Sequence, residues 1–109
     1  MTRPTGLAPV EFEWDDDKRR EGIAKHGVDM VFAAAMFAGV TVTAEDGRTD
    51  YGETRHVAIG KVDDDLLVVV FTERGERIRL ISARKAGRRD RRKFEAGLIG
   101  RDSEDEGRG

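Results

Sequence analysis

The sequence predicts an α+β fold, with two leading helices and one closing helix packed with a mostly antiparallel sheet. Three observations carry this. Four short segments alternate apolar and polar residues at the period of a strand, and a fifth, Leu66 to Phe71, is a strand-sized apolar run. Two helical stretches begin behind aspartates and stop at glycines. The segments from His56 to Ser82 are joined by connections so short that neighbouring strands must run antiparallel. A chain of 109 residues suffices for one domain with a single modest core.

The elements follow in order. Met1 to Pro9 holds both prolines and reads as a flexible lead-in, residues 10–98 as one domain, and residues 99–109 as an acidic flexible tail. Val10 to Trp14 alternates apolar and acidic residues, a short strand with one buried face. Asp15, Asp16 and Asp17 suit the amide end of a helix that runs to Lys25 or His26, where Gly27 stops it. Only Ile23 and Ala24 are apolar within it, so it covers the core weakly. Asp29 caps a second helix from Met30 to about Phe37, and Phe32, Ala33, Met36 and Phe37 form its core-facing stripe. Val40 to Ala44 is a strand, and Glu45 to Gly52 a polar loop. His56 to Val62, Leu66 to Glu73 and Arg77 to Ser82 form a meander through the Asp63-Asp64-Asp65 and Gly75-Glu76 turns. Arg84 to about Leu98 is a basic helix weakened by Gly87 and Gly97.

Composition excludes several classes of function. Charged residues are 39% and apolar residues 38%, and the longest apolar run, Leu66 to Phe71, is strand-sized, so no membrane association is expected. The start has no hydrophobic signal segment, and a cytoplasmic protein is expected. Without cysteine there are no disulfides, thiolate metal sites or cysteine nucleophiles. Two histidines are too few for a histidine-rich metal centre, and the two aspartate triplets read as a cap and a turn rather than a calcium loop. Neither a metal nor a cofactor is expected.

The net charge of −2 hides a division. Residues 1–54 carry net −5 and residues 55–109 net +3, and Arg74 to Lys93 holds ten basic residues against Glu76 and Asp90. Such a field attracts phosphates, or an acidic protein, whatever the global sum. Arginine outnumbers lysine fifteen to five, and its planar fork matches phosphate and carboxylate. A charged helix that merely keeps the domain soluble is the plainer reading.

Strand alternation sets Ile78 and Leu80, with Ser82 beside them, on one face, and Arg77, Arg79 and Ile81 on the other. Parallel guanidinium groups repel unless an anion lies across them. A polyphosphate backbone would serve, and so would Glu73 or Glu76. In the strand from His56, alternation points Val57 and Ile59 to the core and His56, Ala58 and Gly60 away from it. His26, His56, Lys25 and Glu73 are candidate proton carriers, and Arg74, Arg77, Arg79 and Arg84 candidate electrostatic stabilisers of a phosphoryl centre. RNA cleavage by its own ribose hydroxyl would need no metal. Lys25 and His26 equally suit the carboxyl end of a helix with no functional cause.

Several strings now align. They are Phe12-Glu13-Trp14-Asp15 with Lys18-Arg19, then Lys25-His26-Gly27-Val28 with Phe32, then Asp50-Tyr51-Gly52-Glu53 leading to Val57-Ala58-Ile59-Gly60. Thr72-Glu73-Arg74-Gly75, Arg77-Ile78-Arg79 and Ile81-Ser82-Ala83-Arg84-Lys85-Ala86 complete the series. In this order, from about Val10 to Glu95, the chain resembles the BrnT family of bacterial toxins. The resemblance implies a RelE-like fold, membership of a type II toxin–antitoxin operon, and inhibition of translation by RNA cleavage. It implies a small DNA-binding, BrnA-like antitoxin as partner and operator DNA contacted through the assembled complex. It gives catalytic roles to Lys25, His26, Arg74, Arg79 and Arg84, and RNA contacts to Arg77, Lys85, Arg88, Arg89 and His56. His56 departs from the family's common aromatic residue, and Phe71 from its common tyrosine. The reading from another class is a non-catalytic protein that binds the antitoxin and acts as co-repressor. Cleavage requires that the arginines between residues 74 and 84 converge into an open cradle near Lys25 and His26.

Overall fold

The computed structural model describes residues 11–50 and 53–103. The elements are β1 (Glu11–Glu13), α1 (Asp16–His26), α2 (Met30–Ala33) continuing as a 3-10 turn (Ala34–Ala38), β2 (Thr41–Asp50), β3 (Glu53–Val62), β4 (Asp65–Arg74), β5 (Arg77–Lys85) and α3 (Arg88–Ser103). The strands form one sheet in the order β1-β5-β4-β3-β2. β2 to β5 are an antiparallel meander, and β1 adds to its edge parallel to β5. This is the RelE-like arrangement of two N-terminal helices and one C-terminal helix on a mostly antiparallel sheet. The lead-in, Tyr51-Gly52 and residues 104–109 of the tail lie outside the described residues.

The N-terminal helices begin and end where their chemistry dictates. The Asp15 carboxylate accepts from the Asp17 and Lys18 amides, and the Gly27 amide closes α1 on the Ile23 carbonyl at a φ of 70°. That left-handed conformation strains any side chain but glycine's. No α1 residue is buried, as its sparse apolar content foretold. The Asp29 carboxylate caps α2 through the Val31 amide at 2.9 Å and takes a two-pronged hydrogen bond from Arg19 at 2.9 and 2.7 Å. These contacts hold its carboxyl below the usual aspartate range, the Arg19 bond foremost.

Both sheet faces are covered, so the core has two parts. On one face α2 and the 3-10 turn bury Met30, Ala33 and Met36 against Ala58, Leu67, Val69, Phe71, Ile78 and Leu80. On the other, α3 sets Phe94 over Ile59, Leu66 and Val68. Alternation alone had pointed Ala58 and Gly60 away from the core; both are buried, because each face has its own helical cover. Phe32, expected in the core stripe, is 51% exposed: the helix tightens to 3-10 pitch at Ala34, which rotates the stripe and brings Ala34 inward instead. Glu45 to Asp50 continues β2 rather than forming a loop, with an irregular register between Glu45 and Thr49. Arg84 and Lys85 end β5 rather than opening the last helix, which starts at Arg88.

One irregularity decides the site. Val70 pairs with Ser82, but the next β4 residue, Phe71, pairs with Leu80, so Ile81 is an inserted residue, a β-bulge. Past the bulge the alternation of β5 is reversed. Ser82 therefore faces with Arg79 rather than with Leu80, and Ala83 turns into the core.

Candidate functional site

Register assigns the basic residues to faces. The cross-strand rows Arg74–Arg77, Arg55–Thr72–Arg79, Val57–Val70–Ser82 and Ile59–Val68–Arg84 all lie on the α3 side of the sheet. Regular alternation would have set Arg84 opposite to Arg77 and Arg79; the bulge at Ile81 returns it to their side. α3 covers the β2–β3 half of this face, and α1 runs beside β5 at the other edge.

Between α1 and β5 opens a cleft of about 420 Å³. Lys18, Gly22 and Lys25 recur along one stripe of α1 and form its wall, with Asp15, Glu21 and His26 beside them. Arg79, Ile81 and Ser82 form its floor, and Arg55 enters from β3. Lys25 and His26 are exposed, and no hydrogen bond or ion pair engages either side chain among the described residues. A histidine and an ammonium group therefore face an arginine and a serine hydroxyl across an open space.

The arginines are matched by carboxylates. Arg79 donates to Glu13 at 2.9 Å, and Arg77 to Glu11 at 3.1 Å while lying 3.7 Å from Glu13. The Arg79 bond holds the Glu13 carboxyl below its ordinary range despite some burial, and the charges of Arg79, Arg74 and Arg77 add to it. Arg74 donates to Glu53 at 2.8 Å, which raises its already high pKa. Arg84 donates to Asp90 at 2.7 Å, and Asp90 also accepts from the Gly87 amide at the start of α3. The internal partners are thus Glu11, Glu13, Glu53 and Asp90, not Glu76; Glu73 lies 3.8 Å from His56 instead.

Of the residues singled out in the sequence, Lys25, His26 and Arg79 meet in the cleft. Arg74, Arg77 and Arg84 share the face of Arg79 without lining the cleft, so the expected convergence of these arginines beside Lys25 and His26 is met by Arg79 alone, the others being drawn to Glu53, Glu11 and Asp90. Lys85 pairs with Leu67 and lies on the opposite face. Arg88 and Arg89 are exposed in the first turn of α3, where positive charge opposes the helix dipole. His56 is on the α2 side of the sheet, stacked on Phe71 with ring centroids 5.3 Å apart, away from the cleft. Sequence reasoning missed Arg55, Lys18 and Glu21; the helical stripe from Lys18 to Lys25 was readable, but Arg55 needed the β3–β4–β5 register. Among the described residues no group of three or more histidines and carboxylates is placed to hold a metal ion. No described helix is long and apolar enough to cross a membrane.

Comparison with known proteins gives the family and the fold. Residues 14–90 match the family model of the ribonuclease toxin BrnT of type II toxin–antitoxin systems. The fold superposes on the crystal structure of the Brucella abortus ribonuclease toxin BrnT with a TM-score of 0.54 and 26% identity. That match covers 73% of this chain and all of the Brucella chain. A search of curated proteins returned no match. The family match takes in the whole cleft apart from the Glu13 partner of Arg79, and on this ground the chain belongs to the BrnT family of ribonuclease toxins.

Proposed function

We propose that the chain is an endoribonuclease toxin that cuts RNA without a metal, arrests translation in the cytoplasm, and is neutralised by a small DNA-binding antitoxin whose complex with it occupies operator DNA. The observation that carries this is the cleft in which Lys25 and His26 face Arg79 and Ser82. Internal cleavage needs a proton acceptor for the 2′-hydroxyl, a proton donor for the leaving 5′-oxygen, and cations around the phosphoryl oxygens. Lys25 and His26 carry the protons, and Arg79 stabilises the charge that develops on the phosphate. Arg84, Arg74 and Arg77, on the same face, hold the flanking phosphates, and Arg88 and Arg89 extend the basic track along α3. Because the nucleophile belongs to the substrate, no metal-activated water is called for.

Incubation of the purified chain with RNA, followed by mapping of the ends, tests the chemistry. The expected products carry a 2′,3′-cyclic phosphate and a 5′-hydroxyl; 3′-hydroxyl and 5′-phosphate ends would refute the proposed step. Induction of the chain alone should arrest growth, with relief when the adjacent small gene is coexpressed. Complex formation without arrest or cleavage would establish the co-repressor reading instead.

A further inference from the structure

We propose that Arg55 and Arg79 form one two-armed clamp for an RNA phosphate, with the Thr72 hydroxyl set between them as a further contact. The inference rests on the ribonuclease reading for its ligand, and on three observations for its place. Arg55, Thr72 and Arg79 are consecutive members of one cross-strand row on β3, β4 and β5, on the α3 side of the sheet. Both arginines line the cleft that holds Lys25 and His26. Thr72 is 2% exposed beneath that row and does not itself line the cleft, and its Oγ1 has no hydrogen-bond partner among the described residues, so a phosphate reaches it only by drawing the two arginine side chains apart.

The spacing fits the task. Arg55 and Arg79 stand two strand intervals apart, about 10 Å between Cα atoms. Arginine side chains are long enough to meet over the intervening residue, so one tetrahedral anion can accept from both. Planar forks approaching from opposite sides bind a phosphate without competing for the same oxygens. Thr72 strengthens the case by its oddity. The same face of β4 carries Val68 and Val70, and only where arginines flank the strand on both sides does a hydroxyl replace the valine methyl. A buried hydroxyl without a partner is unfavourable for folding alone and is one mark of a functional site. Glu13 holds Arg79 in the free protein, and an incoming phosphate takes its place. Arg55 approaches from the far side of the cleft, so the substrate is gripped across the β4 strand rather than along β5 only.

The test uses the full chain and a 2′-O-methyl RNA oligonucleotide, which binds but lacks the attacking hydroxyl. Affinity is read by fluorescence anisotropy across a salt titration for wild type, Arg55→Gln, Arg55→Lys and Thr72→Val, with thermal melts alongside. Arg55→Gln should weaken binding about tenfold and reduce the salt slope by about 0.7, the share of one single-strand phosphate contact. Arg55→Lys should restore the slope but not the full affinity, because the fork is gone. Thr72→Val should weaken binding about three- to tenfold with the slope unchanged, the loss of one neutral hydrogen bond. Wild-type affinity and slope in Arg55→Gln would overturn the clamp, as would failure of the wild type to bind the oligonucleotide. If Arg55→Gln melts out, Arg55→Lys and Thr72→Val decide: wild-type affinity in both also overturns it. Cleavage of ordinary RNA by the wild type, measured in parallel, separates the two readings. A cleaving enzyme indifferent to Arg55 loses the clamp alone, and a binding protein that never cleaves loses the ribonuclease reading alone.

Discussion

Valine in place of Thr72 should stabilise the fold. The side chain is 2% exposed in the middle of β4, and its Oγ1 lacks a partner among the described residues. Leaving a hydroxyl desolvated and unbonded costs about 1–3 kcal/mol. Valine has the same branched shape, the same stiff χ1 and the same preference for a strand, so the substitution removes the hydroxyl and little else. We expect a gain of about 1–2 kcal/mol. In a domain of this size each kcal/mol moves the melting temperature by about 4–8 °C, which calorimetry resolves easily. Urea unfolding should show a higher midpoint with an unchanged slope, the mark of altered stability rather than an altered unfolded chain. Thr72→Ser separates the groups: it keeps the oxygen, loses a buried methyl, and should cost about 1 kcal/mol. An unchanged or lower melting temperature for Thr72→Val would refute the reasoning, since the hydroxyl would then be satisfied in the folded protein. A stabilised protein that also binds RNA less well is the trade expected where a site keeps a group that folding alone does not favour.

Four further outcomes are expected. Asp29→Ala removes the α2 cap and the Arg19 partner and should cost about 1–2 kcal/mol near neutrality. The Asp29 carboxyl is held below its unfolded value, so its stabilisation is complete above the unfolded carboxylate range and disappears as pH falls through the folded value. Chemical denaturation at decreasing pH should therefore show wild type and Asp29→Ala converging. Gly97→Ala places a Cβ 2.6 Å from Val42 Cγ1 and 3.2 Å from its Cβ, so no rotamer of valine makes room. Overpacking of about 1–3 kcal/mol outweighs the helix preference of about 1 kcal/mol, and the melting temperature should fall. His56→Ala should lower stability by about 1 kcal/mol through the lost Phe71 stacking, while RNA affinity in the anisotropy assay stays at the wild-type value. Glu13→Gln removes the charge shared by Arg77 and Arg79 and should tighten RNA binding about fivefold at low salt, the gain fading at high salt.

Much of this molecule was legible one residue at a time. Asp15, Gly27 and Asp29 mark helix ends through local hydrogen bonds, and local chemistry is written in local sequence. The short turns at Asp63 and Gly75 likewise dictated hairpins. The strings from Lys25-His26-Gly27 to Ser82-Ala83-Arg84 carried the family. What stayed hidden was non-local. Ala58 and Gly60 gave no sign of burial, because small residues fit under the 3-10 turn only when the chain places Met36 there. His56 looked accessible by alternation, yet its face is the one that α2 and the 3-10 turn cover, and Phe71 stacks on it. Arg55 was an unremarked basic residue until register aligned it with Arg79 across Thr72. Nor does anything in Leu80-Ile81-Ser82 announce a bulge.

That bulge and the paired carboxylates together explain how one surface serves both a folded protein and an anionic ligand. An uninterrupted β5 would divide its basic residues, leaving Arg77 and Arg79 on one side and Arg84 on the other. Insertion of Ile81 gathers all three, and the gathered charge would then repel itself in the free chain. Glu11 and Glu13 from β1 and Asp90 from α3 relieve that repulsion, and Glu53 from β3 does the same for the neighbouring Arg74 of β4. The Arg74 and Arg77 pairs sit near solvent and the Arg79–Glu13 pair is only part-buried, so Coulomb attraction is screened and salt-dependent and a phosphate can displace a carboxylate at modest cost. A buried ion pair could not be exchanged in this way, because breaking it strands a charge in a medium of low dielectric. An acidic segment of a neutralising partner could displace the same carboxylates. Competition between RNA and such a partner then needs no conformational switch, since both would bind where the protein's own carboxylates already lie.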